Sequence, residues 1–181
     1  GAQGVALIPK MATETVSRTV QRQALKQRLT LLKPLFEAHD QIGLIEPLGF
    51  LNSSLRFKDD VAAVLDDLNR PKCFRIIHDT FHHHLAQKDG FQADLTALVH
   101  ISGVTDLRPK IGQMTDAHRV LVGQGDRLDN ILQLRTLQAR GYVGAASYEA
   151  FAHNIHDMTD PTDALAGSIN FIATQLAQQP A

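Results

Sequence analysis

The chain has 181 residues, with 18 lysines and arginines against 19 aspartates and glutamates, giving a formal net charge of −1. That length suits one domain with a real core and is short for two, and a near-neutral charge offers no footprint for nucleic acid or an anionic membrane surface. No apolar run approaches the ~20 residues that span a bilayer, and a single cysteine, Cys73, excludes an internal disulfide and fits a reducing, cytoplasmic setting with no signal peptide.

Gly4 to Pro9 (GVALIP) reads as a buried strand. Residues 14–39 read as a helix, with Leu25, Leu29, Leu32 and Phe36 near helical spacing; Pro34 is expected to kink or divide it. IGLIEPLGF, residues 42–50, is a second apolar strand, and Lys58 to Leu68 a helix with Val61, Val64, Leu65 and Leu68 on one face. CFRIIHDT (73–80) and LTALVHISG (95–103) are strand-like. A long loop rich in Gly, Asp and Arg covers about 104–127, then DNILQLRTLQARG predicts a helix stopped by Gly141 in a left-handed cap. AASYEAF, residues 145–151, is the fifth strand, and Asp160-Pro161 opens a terminal helix to about 178. Strands separated by helices imply a parallel sheet with helical cover, and continuous apolar runs imply strands buried on both faces. The fold class is therefore α/β.

Four of the five strands carry an ionisable residue towards the end of the apolar run: Glu46, Asp79, His100 and Glu149. In parallel α/β folds the C-terminal strand ends share one face, where sites are built. Three carboxylates and an imidazole gathered there would repel unless a cation joined them. Taken singly, a strand-end glutamate is more often a cap or ion-pair partner and a strand histidine more often a satisfied core residue. The recurrence across four strands favours a metal site of three oxygens and one nitrogen.

DTFHHHL, LVHISGV, HRVLVGQGD and the ending GYVGAASYEAF resemble the sugar isomerase/epimerase branch of the xylose isomerase-like TIM barrels, which includes ketose 3-epimerases and inositol-catabolism isomerases and dehydratases. The resemblance runs from GVALIP to the terminal helix. It implies one divalent metal ion bound by Glu46, Asp79, His100 and Glu149, and substrate oxygens contacted by His82 and Arg119. The family usually ends in Glu-Pro-Phe, where this chain has Glu149-Ala150-Phe151.

Nine histidines are the one compositional oddity. If Asp79 ends its strand, His82, His83 and His84 lie on a helix with side chains about 100° apart and cannot all face one ligand. His82 is assigned to the site, His83 and His84 to exposed or packing positions, and His78 to the opposite side of the strand, buried against a helix. Ser53, Ser54 and Arg56 either bind substrate hydroxyls or a phosphate, or form an ordinary loop. Arg119 has an alternative as a structural ion-pair partner, and Asp116, Asp126 and Arg127 read as solvated.

Oxygen-rich ligation with one imidazole suits Mn²⁺, Co²⁺, Mg²⁺ or Zn²⁺. With Glu46 and Glu149 as acid and base, such a site would deprotonate the carbon beside a carbonyl to an enediolate. The expected activity is that of a metal-dependent isomerase or epimerase on a small sugar, sugar phosphate or keto-inositol. A keto-inositol dehydratase-type lyase and a catalytically inert truncated barrel are the alternatives. A closed (β/α)8 barrel typically has ~250 residues. Aligned on its motifs, the chain reads as a single partial barrel domain over 1–181 that lacks the first three βα units. Its open strand edge is expected to favour self-association weakly, as a homo-oligomer.

Overall fold

Short apolar runs joined by stretches too long for hairpins pair most readily in parallel, and the chain does so throughout. The structure, a computed structural model, describes residues 1–14, 16–87 and 89–178. Strands β1 (Gly4–Leu7), β2 (Ile42–Ile45), β3 (Phe74–Asp79), β4 (Thr96–Ile101) and β5 (Ala146–Tyr148) form one sheet in sequence order, every pair parallel. Helices α1 (Arg18–Ala38), α2 (Lys58–Asp67), α3 (Thr80–Ala86), α4 (Asn130–Ala139), α5 (His153–His156) and α6 (Thr162–Ala177) connect and cover it. The result is a five-stranded half-barrel of TIM-barrel type.

Burial follows the apolar pattern on the helical side. Leu29 and Phe36 of α1 and Val61, Val64 and Leu65 of α2 pack with Ile45, Phe74 and Ile76 of the sheet. Phe36 meets Phe74 edge-on at 5.5 Å. Further along, Leu134 and Leu137 of α4 join Val99 and Ile101 of β4, with Phe171, Ile172 and Leu176 of α6 packed against them. Each such side chain contributes about 1.5–3 kcal/mol by leaving water.

Several expectations need correction. Pro34 does not divide α1, which runs unbroken through it. Pro34 and Thr30, whose carbonyl loses its amide partner to the proline, both lie on the exposed side. Water can satisfy that carbonyl while buried Leu29 and Phe36 hold the turns on either side. The strands are not all buried on both faces: β3 is almost wholly buried, but half of β1 and most of β5 are exposed, each being paired on one side only. The second and fifth strands are shorter than their apolar runs. In the second, Pro47 cannot extend the ladder, and the last ladder-like bond is Glu46 N–H to the Leu7 carbonyl at 3.2 Å. Asp126 and Arg127 are half-buried rather than solvated. Asp126 accepts from the amides of Val104, Leu128 and Asn130, and Arg127 donates to the carbonyls of Asp106 and Pro109, so both order the loop before α4.

Other details agree. Gly141 takes φ +89° just past α4, the left-handed stop that a side chain would strain. Asp160 accepts from the Thr162 amide at the start of α6. No helix among the described residues is long and apolar enough to cross a membrane.

Candidate metal centre

The parallel ladder delivers four polar residues to one edge. Asp79, the last residue of β3, is in register with His100 near the end of β4. Glu46 and Glu149 each follow their strands by one residue, and the Glu149 amide still bonds to the Ile101 carbonyl at 2.9 Å. The structure therefore brings Glu46, Asp79, His100 and Glu149 together, with one ligand-type atom from each lying within 4.8 Å of the others. Glu46 and Asp79 are buried, whereas 27% of the Glu149 side chain is exposed, so the cluster has one open side.

His100 Nδ1 sits 2.8 Å from Glu46 Oε1 and 3.4 Å from Glu149 Oε2. Burial pushes this imidazole down, but the hydrogen bonds and charges of Glu149 and Glu46 outweigh it and raise its pKa to about 10. For Asp79 burial pushes the carboxyl up, yet the electrostatic pull of His82 and Arg119 and the hydrogen bond from the His82 amide prevail and hold it well below the usual carboxylate range. Asp79 has two tasks. Its Oδ1 accepts the His82 amide at 2.8 Å, capping α3, and its Oδ2 accepts Arg119 Nη2 at 2.6 Å.

Arg119 is the residue whose surroundings the sequence describes least. Its side chain is 1% exposed. An antiparallel bridge between Gly103 and Val120 draws its loop back beside β4, and the Ala152 amide holds its carbonyl. Nε donates to Ser102 Oγ at 3.0 Å, Nη1 to Asp116 at 3.2 Å, and Nη2 to both Asp79 and Glu149, the latter at 2.9 Å. The guanidinium also lies over the Phe81 and Phe151 rings, 4.9 and 5.0 Å from their centroids. Of the two readings of Arg119, the ion-pair partner has direct contacts. Four of its five N–H donors are engaged with side chains, leaving one without such a partner among the described residues.

His82 is outside the four-residue cluster. The residue is 4% exposed, its ring set edge-on to Phe50 at 5.0 Å and Phe81 at 5.3 Å, and its Nδ1 is buried without a partner among the described residues. Gly49 presses on the same helix: a Cβ there would collide with the His82 carbonyl. His83 and His84 are half-buried. His78 is fully buried on the far side of β3, bonded to Gln133 of α4 at 2.9 Å.

The loop after β2 is tied down by its own hydrogen bonds. Ser53 Oγ donates to the Leu55 carbonyl, and Arg56 gives its nitrogens to the carbonyls of Gly49 and Leu85. Ser54 bonds by its amide to the Lys10 carbonyl. Sequence reasoning missed Ser102 and Asp116 as the residues that aim Arg119. The available signal was Ser102, a hydroxyl inside the apolar stretch VHISGV, which is 0% exposed.

Three carboxylates here face one guanidinium and one imidazole, an anionic surplus in a mostly buried edge. That donor set fits a divalent ion: hard oxygens with one nitrogen, fixed by four strands.

Comparison with known proteins places this geometry in context. Among solved structures, a xylose isomerase domain containing protein from Salmonella typhimurium LT2 is 30% identical with a TM-score of 0.80; the match covers 97% of this chain and 64% of that one. The IolI protein, solved with a binding zinc atom, is 19% identical with a TM-score of 0.83 over 97% of this chain and 63% of its own. The 3-keto-D-glucoside 4-epimerase from E. coli is 22% identical, TM-score 0.67, over 94% and 63%. The chain thus spans just under two thirds of these proteins. No curated protein sequence matches it. The family model for xylose isomerase-like TIM barrels matches residues 1–175, and the chain belongs to that family.

Proposed function

We propose that the chain carries the metal-dependent acid–base site of an isomerase or epimerase acting on a small sugar, sugar phosphate or keto-inositol. One observation carries this reading: Glu46, Asp79, His100 and Glu149 converge from four successive strands to within 4.8 Å. The zinc of the IolI structure and the epimerase named among the structural relatives support it.

Glu46, Asp79, His100 and Glu149 would hold one divalent ion, with Mn²⁺, Co²⁺, Mg²⁺ and Zn²⁺ all suited to the donors. When bound, such an ion supplies Lewis acidity, which makes the C–H beside a substrate carbonyl easier to deprotonate. Glu149, partly open to solvent, would exchange a proton with that carbon, and the buried Glu46, bonded to His100, would exchange one from the other side. Return of the proton to the opposite face epimerises the carbon, and return to the neighbouring carbon isomerises the sugar. His82 and the remaining Arg119 N–H would hold substrate oxygens, while Phe81 and Phe151 keep water from the guanidinium. The partner is a small polyol rather than nucleic acid, in keeping with the net charge of −1. Two open strand edges also leave room for self-association.

The test is proton exchange. The chain, loaded with Zn²⁺ or Mn²⁺, is incubated in D2O with ketopentoses, ketohexoses and inososes, and loss of the C–H signal beside the carbonyl is followed by NMR. Exchange that disappears in Glu149→Gln supports the reading. A metal-loaded chain that exchanges none of them overturns it, and an absorbing enone product would point to a dehydratase.

A further inference from the structure

Arg119 touches the same two carboxylates that a metal ion would need. Its Nη2 lies 2.6 Å from Asp79 Oδ2 and 2.9 Å from Glu149 Oε2, and Asp79 Oδ1 is already committed to the His82 amide. Both oxygens of Asp79 are thus engaged within the protein. The guanidinium is not a loose surface group that happens to reach inward. Ser102, itself fully buried, fixes Nε, Asp116 fixes Nη1, and the guanidinium carbon lies over two aromatic rings.

We propose that Arg119 is a built-in counter-ion that competes with the metal: it keeps the carboxylates assembled when no ion is bound and sets how tightly one can bind. The proposal rests on the metal reading above and adds to it a positioning residue acting through Asp79 and Glu149. A planar, permanently charged fork suits this task, since it can grip two carboxylates at once while two further contacts hold it in place. Without it, three carboxylates would share a buried edge with one imidazole, and their mutual repulsion would splay them. With it, an incoming cation must displace or share contacts that are already strong, so affinity is traded for an ordered empty site.

Two readouts on the full chain test this: Zn²⁺ affinity by calorimetric titration and the melting temperature of metal-free protein. Arg119→Met is expected to melt lower without metal, to bind Zn²⁺ roughly tenfold more tightly, and to gain a larger melting-temperature rise on loading. A purely structural arginine predicts the opposite for affinity, because a loosened site binds more weakly. Equal or weaker binding in Arg119→Met therefore overturns the proposal while the metal reading stands. No Zn²⁺ binding in either protein overturns both. If Arg119→Met does not fold without metal, Arg119→Gln decides. It keeps hydrogen-bond donors for the carboxylates and loses the charge, so tighter binding than the parent is expected, and equal or weaker binding overturns the counter-ion role.

Discussion

Two polar clusters flank β3, one at its tip and one behind it, and they differ in charge balance. At the tip, Glu46, Asp79 and Glu149 face Arg119 and His100, with Glu149 partly open to solvent. Behind it, Lys58 and Asp89 form an ion pair at 2.8 Å, their side chains 4% and 1% exposed. Lys58 Nζ also lies 2.8 Å from His83 Nδ1, and His83 packs on His78 and Phe91. The rear cluster has one cation, one anion and two imidazoles that burial keeps neutral. It is closed and balanced, so it stabilises. The tip has anion to spare, so it is suited to take up a cation. Burial alone does not separate a site from a scaffold; the residual charge does.

The largest effect expected of this contrast is on stability from the rear pair. Asp89→Ala would strand a buried Lys58 and release the Lys58 and Asp59 amides that Asp89 caps. The loss should be about 3–5 kcal/mol in urea denaturation. Replacing both partners with apolar residues should recover the part due to the stranded charge but not the lost caps; a single variant within 1 kcal/mol of the parent (roughly the worth of an exposed pair) would break the comparison.

Acid should act next, and also through the rear cluster. Burial, joined by the Lys58 charge, lowers His78 to about 4 and His83 to about 2. Both are neutral in the folded chain, while an unfolded histidine takes a proton near 6.5. Stability from these two groups is complete above that pH and falls as pH drops below it, by up to about 1.4 kcal/mol per pH unit for each. Denaturation midpoints between pH 7 and 5 measure this, and His83→Phe should flatten the slope. A midpoint unchanged over that range would mean the imidazoles are not buried neutral.

The smallest stability effect is expected at the tip. Glu46→Gln keeps a hydrogen-bonding oxygen for His100 and removes one surplus charge, so metal-free stability should change by no more than about 1 kcal/mol. Zn²⁺ affinity, by contrast, should fall by roughly 100-fold or more. A variant that unfolds yet retains affinity would reverse the roles assigned to the two clusters.

The parallel pairing and the strand-end positions of Glu46, Asp79, His100 and Glu149 were legible because the apolar runs, their spacing and the polar residue that ends each run can be read directly along the chain. The environment of Arg119 was not. It depends on a bridge between Gly103 and Val120 and on Ser102 and Asp116, which join only when a loop folds back. Asp89 was equally hidden, since it caps a helix that begins 31 residues earlier in the chain. Pro34 misled for the reverse reason. Of the kink or division expected there, the division does not occur, because the freed carbonyl faces water while packing holds the turns on either side.

Asp79 shares its carboxylate between the amide of His82 and the guanidinium of Arg119. Any ion drawing electron density from one oxygen weakens the acceptor on the other. The ¹⁵N–¹H resonance of His82 is thus an internal gauge of occupancy, readable in solution without substrate or turnover.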